Sequence, residues 1–422
     1  MLVYLLYCVC SPFLFLLLHF FRFFNSKINI HIKNERISFN VVLEKLKNVN
    51  RKRKKILLFH AASAGEFEQI KPILKYINKK NYFIIQTFTS PTIFIKERDN
   101  VLFDVCCYHP YDFLWSSFRF FYSIRPDFYI VTRHDVWPTH LFVLKKLNIA
   151  SFYINANLHK KSIWLKPFLS RLTKTVFNKF NLLLVPSENI KNLLLPFVSE
   201  NKIIVSGDSR FDQIINRKKA ARTLKLLPNG FNHSTNIIFG SYDYADENII
   251  LNSLLEKYPK GNRDLKIKNH RILLVPHEPE KKSMLVHRLI DVGFQVDHFS
   301  SLPKDGCANI LYVDTVGVLA DLYKYCALAY IGSGFSDGVH SVIEPGAYGC
   351  VTAFGPNIEL LDEAKYIYKN NLGVMIFNAE DLFEFYQLLE KPHIYNQLSN
   401  GIKQYVLSQK GSSKRIISQI IK

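Results

Sequence analysis

Acidic side chains are scarce in this chain of 422 residues: 35 Asp and Glu stand against 55 Lys and Arg, a formal charge of +20. An excess of that size points to an anionic partner: nucleic acid, an acidic membrane surface or a phosphorylated substrate. Part of it is compositional, because Lys, Asn, Ile and Phe are abundant throughout. Nothing has the form of a nucleic-acid-binding module, so nucleic acid is set aside. The seven cysteines include no C-x-x-C pair and no His-rich metal spacing. That argues against a disulfide framework and a metal site, and for a reduced compartment; the last four, in apolar runs, read as buried thiols. No internal repeat or low-complexity tract is present. No G-x-G-x-x-G follows the first strand of either half, which argues against a lone dinucleotide-binding domain.

Charge is missing altogether from the first 21 residues, His19 aside. A helix there, at about 1.5 Å per residue, matches the hydrocarbon thickness of a bilayer. There is no basic segment before it and no A-x-A-like site after it, which argues against a cleaved signal peptide. Arg22, Lys27, Lys33 and Arg36 follow the apolar run. By the positive-inside rule residues 1–24 are an uncleaved anchor, spanning or deeply interfacial, with the rest of the chain on the cytoplasmic side.

What the chain does have is a repeated alternation. It is 48% hydrophobic and 21% charged, a globular composition, and long enough for two domains. Strand-like runs at 56–60, 82–87, 101–107, 127–132, 149–154, 181–185 and 202–206 alternate with amphipathic stretches at 66–80, 111–124, 137–147 and 187–196. A Lys/Arg/Asn-rich stretch with Pro228 and Gly230 interrupts the pattern at 213–235 and reads as an interdomain linker. A second series of strands follows near 236–240, 271–275, 310–313, 327–331 and 350–353. The expected domains are an N-terminal one over 25–212, a C-terminal one over 213–390 and a helical tail over 391–422, each main domain a doubly wound α/β sheet.

Two places carry chemistry. The strand Ile56–His60 runs into a small-residue turn and then Glu66, at the head of an apolar-periodic helix. A carboxylate there is ionised by the field of the helix N-terminus and stands where open α/β sheets hold ligands. It serves either as a general base or as a helix cap. In the second half, Gly332, Gly334 and Gly338 let backbone approach a ligand closely, and a helix is expected from about Val339 with N–H groups suited to phosphate. Glu344, about a turn in, is placed to accept from two ribose hydroxyls. Two facing Rossmann-like domains of this kind make the GT-B glycosyltransferase architecture, an α/β fold around a cleft.

The motifs along nearly the whole chain resemble those of the 3-deoxy-D-manno-octulosonic acid (Kdo) transferases. His60-Ala61-Ala62-Ser63-Ala64-Gly65-Glu66 is similar to the family's H-A-x-S-x-G-E, whose Glu is the general base. Gln86 to Ser90, Tyr111-Asp112, Arg125-Pro126-Asp127, Trp137-Pro138 and Asn155 to Leu158 resemble further elements in order. So do Gly207 to Asp212, Gly240-Ser241, Pro276-His277, Asp314 to Gly317 and Gly338 to Pro345. The family's E-T-E-L-W-P is here Arg133-His134-Asp135-Val136-Trp137-Pro138; His277 stands for a donor arginine, Ser341 for an asparagine, Arg210 for a lysine.

The resemblance implies a membrane-anchored inverting enzyme at the cell inner membrane, moving Kdo from CMP-Kdo to a lipid A precursor without metal or cofactor. Glu66 and Asp135 would be catalytic. Ser63, Gly65, Arg210, Ser241, Pro276, His277, Asp314, Gly332, Gly334, Gly338, His340, Ser341 and Glu344 would hold the donor. Arg125, Arg133 and His134, with Arg119, would meet the acceptor's phosphates. No obligate protein partner is implied. The competing readings are a lipid-acceptor GT-B transferase using a UDP-sugar, a UDP-N-acetylglucosamine 2-epimerase-like enzyme, and a tethered protein that kept the fold without the activity.

Overall fold

The computed structural model describes residues 2–158, 162–221, 226–281, 283–302 and 307–421. The chain forms two compact units, one of residues up to Gln213 with those from Gly411, the other of Ile214–Lys410.

In the first unit the strands are β1 (Lys55–Ala61), β2 (Tyr82–Phe88), β3 (Val105–Tyr108), β4 (Phe128–Thr132), β5 (Ala150–Ile154), β6 (Leu182–Val185) and β7 (Ile203–Val205). They make one sheet in the order β3-β2-β1-β4-β5-β6-β7, every pair parallel. A parallel sheet is covered on both faces, so its strands are apolar on both. In β1 the alternation is explicit: Ile56 and Leu58 join one buried cluster, Leu57 and Phe59 the other. The first cluster takes Phe39, Val42 and Leu46 of helix α2 (Ser26–Lys47), the second Phe67, Ile70 and Leu74 of helix α3 (Ala64–Leu74). The chain's last helix, Ser412–Ile420, returns to this unit and buries Ile416, Ile417 and Ile420 in the α3 cluster. Strand order reverses between β1 and β4, which makes their carboxyl ends the switch point.

Helix α1 (Leu2–Phe21) is apolar enough over Tyr4–Phe21 to cross a membrane. One edge of it is nevertheless engaged by protein. Tyr4 stacks on Phe142 at 4.3 Å, the Tyr7 hydroxyl donates to the Asp112 carbonyl at 2.7 Å, and Phe15 meets Phe113 and Trp115 edge-on. Its other side, with Leu6, Val9, Phe13, Leu16 and Phe20, is exposed.

The second unit repeats the plan with β8 (Thr235–Tyr242), β9 (His270–Pro276), β10 (Val296–His298), β11 (Ile310–Tyr312), β12 (Cys326–Ile331), β13 (Val351–Phe354) and β14 (Val374–Met375). The order is β10-β11-β9-β8-β12-β13-β14, again all parallel, with the reversal between β8 and β12. The helix Ser209–Ala221 runs through the start of the stretch read as a linker, and residues 222–225 of that stretch lie outside those described. Of the four cysteines expected to be buried, Cys107 and Cys350 are; Cys307 and Cys326 are half-buried.

Candidate active site

Glu66 sits where β1 gives way to α3, and its side chain turns back over the junction. Ser63 caps α3 from an extended backbone, φ −128°, and its Oγ accepts the Glu66 N–H at 3.4 Å. Glu66 Oε2 in return accepts the N–H groups of Ala62 at 2.8 Å and Ser63 at 3.0 Å. This is a reciprocal capping box. The turn itself faces outward: Ser63 and Gly65 are exposed, and a Cβ built on Gly65 meets nothing within 4 Å.

The cap is only part of what this carboxylate does. Asp135 comes from the loop after β4, the strand beside β1 at the switch point, and its Oδ2 accepts the same Ala62 N–H at 3.1 Å. One donor is shared by two carboxyl groups. Burial, then the charge of Glu66 and a hydrogen bond with it, push the Asp135 carboxyl up to about 8 against the pull of Ala62 N–H. Near neutrality the Asp135 carboxyl is therefore held protonated. His60, at the end of β1 and fully buried, brings Nε2 to 3.4 Å from Asp135 Oδ2.

Two non-glycine residues in left-handed backbone shape the rim. Arg133, at φ 63°, turns the chain out of β4, and its carbonyl accepts the Tyr153 hydroxyl. Asn155, at φ 48°, binds Ser209 through both ends of its amide, and Ser209 Oγ donates to Gln69 of α3 at 2.7 Å. Strained backbone of this kind persists only where its surroundings fix it.

The expected acceptor residues divide. Arg133 and His134 lie in the Asp135 loop. Arg125 does not join them. It caps the helix Leu114–Ile124 before β4 begins, at φ 48°, so the parallel sheet sets it at the opposite edge from Glu66. Arg119 is also apart, on the rim of a cavity of about 290 Å³ with Phe15 and Arg36. The Asp112 and Asp127 carboxylates of the matched motifs turn out to fasten backbone. Asp112 accepts the N–H groups of Thr139 and His140, and Asp127 Oδ2 accepts that of Ile56 at 2.7 Å.

Donor-side candidates fall mostly in the second unit, at its own switch point. Ser241 lies near the end of β8 and Ser333 follows β12, both in left-handed backbone. Pro276 ends β9, and His277 stacks on His340 at 4.4 Å. Burial, then the His277 imidazole, lower the His340 pKa. Arg210 belongs to the first unit, where its guanidinium pairs with Asp208 at 2.7 Å. Asp314 is engaged by Ser300, whose N–H and hydroxyl donate at 2.9 and 2.6 Å. Partial burial raises that carboxyl, but the Ser300 and His298 hydrogen bonds outweigh it and leave it below the usual range.

Three details differ from the sequence reading. The helix expected from Val339 starts at Ile343 and ends at Tyr348, so Ser341 lies in the preceding loop and Glu344 in the first turn. Residues 335–342 are irregular, with Gly338 at φ 117°. Gly332 and Gly334 are small for the chain's own sake: a Cβ on Gly332 would stand 2.3 Å from the Tyr242 Cα, and one on Gly334 2.6 Å from Gly355. Asp246 went unnoticed in the sequence. Buried beneath the β12 loop, it accepts the Tyr330 hydroxyl at 2.6 Å and the Ser333 N–H at 2.8 Å.

The segment carrying the Glu66–Asp135 pair is also the one that matches a family model. Residues 35–213 match 3-deoxy-D-manno-octulosonic-acid transferase (kdotransferase). Relatives of that name extend the likeness. The enzyme of Aquifex aeolicus is 27% identical over 80% of this chain and 86% of its own. Those of Chlamydia muridarum and Haemophilus influenzae are 25% and 24% identical over 78% and 86% of this chain, and 76% and 85% of their own. Over residues 35–213 the chain is similar to the Kdo transferases.

The chain shares its fold with UDP-N-acetylglucosamine 2-epimerases. That of Neisseria meningitidis aligns at TM-score 0.59 and 16% identity, over 87% of this chain and 99% of that one. That of Methanocaldococcus jannaschii aligns at 0.53 and 17%, over 78% and 91%. At such identity the likeness is one of architecture. What this chain has at the β1/β4 switch point is a capping glutamate and an aspartate on one backbone N–H.

Proposed function

We propose that this glycosyltransferase moves Kdo from CMP-Kdo to a lipid A precursor, with inversion, at the inner face of the cell inner membrane. Glu66 is the general base. It takes the proton of an acceptor hydroxyl as that oxygen bonds to the anomeric carbon, and the carbon–oxygen bond to the CMP phosphate breaks. Asp135, carrying its own proton, keeps a second negative charge out of the site. Arg133 and His134 border the pair and supply cations for the acceptor's phosphates. The donor-binding candidates of the second unit are Ser241, His277, Gly338, His340, Ser341 and Glu344; Ser63, Gly65 and Arg210 are candidates in the first. Gly332 and Gly334 set the β12 loop through their own packing.

Helix α1 is the membrane anchor, lying in the interface with its Tyr4–Tyr7–Phe15 edge on protein and its Leu6–Val9–Phe13 side in lipid. The observation that carries the reading is the Glu66–Asp135 pair, on one Ala62 N–H, inside the segment matched to the family. Its donor half is tested by titrating the full chain with CMP and with UDP. CMP is expected to bind the tighter of the two, and a preference for UDP would overturn the donor.

A further inference from the structure

His60 is buried at the base of the Glu66–Asp135 pair, and its tautomer follows from its neighbours. The Thr87 hydroxyl donates its one proton to the Phe59 carbonyl at 3.1 Å. Towards His60 Nδ1, 3.0 Å away, it acts as acceptor. The Thr87 backbone is a second acceptor for the same ring. Nδ1 therefore bears the ring hydrogen. Burial holds the imidazole neutral, its pKa lowered to about 3, so Nε2 is a bare lone pair. That atom is buried and, among the described residues, has no hydrogen-bond partner. What it faces, at 3.4 Å, is Asp135 Oδ2. Two lone pairs opposed in a dry site repel, whereas a hydrogen on Oδ2 turns the contact into a bond.

We propose that His60 is a positioning residue: its Nε2 receives the hydrogen that Asp135 carries, so that Asp135 stands as a neutral acid beside a charged Glu66. Two acceptors compete for that hydrogen. Drawn to His60, it leaves the Glu66 lone pairs to the substrate hydroxyl; drawn to Glu66, it would weaken the base. The groups facing Asp135 are Glu66 from α3, His60 from β1, Tyr129 from β4, Tyr153 from β5 and Arg133 in its own loop. His109 stacks on the far side of the His60 ring at 3.7 Å. Of these, only His60 offers Asp135 a neutral acceptor nitrogen.

The kinetic arm of the test rests on Glu66 being the base; the spectroscopic arm does not. Nitrogen-15 NMR of the wild-type chain is expected to show His60 protonated at Nδ1 and bare at Nε2. Infrared spectra at pH 7 are expected to show a protonated carboxyl band that disappears in Asp135→Asn. Wild-type turnover is expected to fall on the alkaline side with a midpoint near 8. His60→Met removes the acceptor and is expected to lower that midpoint by about one pH unit, a tenfold change in proton affinity, with KM little changed. His60→Gln, whose amide oxygen accepts, restores it. An Nε2-protonated ring, a missing carboxyl band, or the same midpoint in His60→Met as in the wild type would each overturn the proposal. If His60→Met does not fold, the two wild-type spectra decide. A chain that shows both signatures but turns over no CMP-Kdo contradicts the assigned reaction and leaves the His60–Asp135 contact standing.

Discussion

Glu66 is a cap in the structure and a base in the proposed reaction, and the two roles separate by substitution. As a cap it needs only an acceptor for the Ala62 and Ser63 N–H groups; as a base it needs a proton-accepting charge. Glu66→Gln is expected to keep a melting temperature near the wild type's while turnover falls about a hundredfold or more. Glu66→Ala is expected to lose the same turnover and about 1 kcal/mol of stability as well. Calorimetry alongside a rate assay checks both; equal activity in the Gln variant and the wild type would reduce Glu66 to a cap. Glu66 stood out in the sequence because a strand, a small-residue turn and an apolar helix frame it. The partnership with His60 did not, since it depends on β2 setting Thr87 opposite His60 in register. Arg125 shows the converse: a basic residue in a matched motif, placed by the strand direction at the far edge of the sheet.

Elements were legible where burial made them so. The inner strands of both sheets are apolar on two faces and stand out as unbroken Ile, Leu, Val and Phe runs. The edge strands β10 and β14 escaped notice, because Val296-Asp297-His298 and Val374-Met375 are too short to show a period. The late start of the helix Ile343–Tyr348 has a similar origin. Gly338 at positive φ and the Gly334–Gly355 approach hold residues 335–342 in a loop that no helical periodicity reports. Helix α1 was legible by its lack of charge, but its protein-facing edge was not, since Tyr4, Tyr7 and Phe15 suit lipid and protein equally. Removing residues 1–24 is expected to move the protein from the membrane pellet to the soluble fraction at physiological salt. Retention in the pellet by the truncated chain would place the anchor elsewhere, on exposed Trp115, Phe118 and Tyr122 or on the basic surface.

At the scale of the whole molecule, two doubly wound sheets each present one switch point, and each gathers residues of one chemical kind. The first holds two carboxyl groups on one backbone N–H; the second holds serines and imidazoles beside a tightly packed glycine loop. A net charge of +20 suits the proposed phosphorylated lipid substrate and anionic surface. Fold class was readable from the alternation of strands and helices, and the likeness to the Kdo transferases from the order of the motifs. The most direct measurement is transfer itself: the full chain in lipid vesicles, given CMP-Kdo and a tetra-acylated lipid A precursor, with the product read by mass. The account predicts a Kdo-bearing lipid and released CMP. A lipid product formed only when a UDP-sugar replaces CMP-Kdo would contradict it.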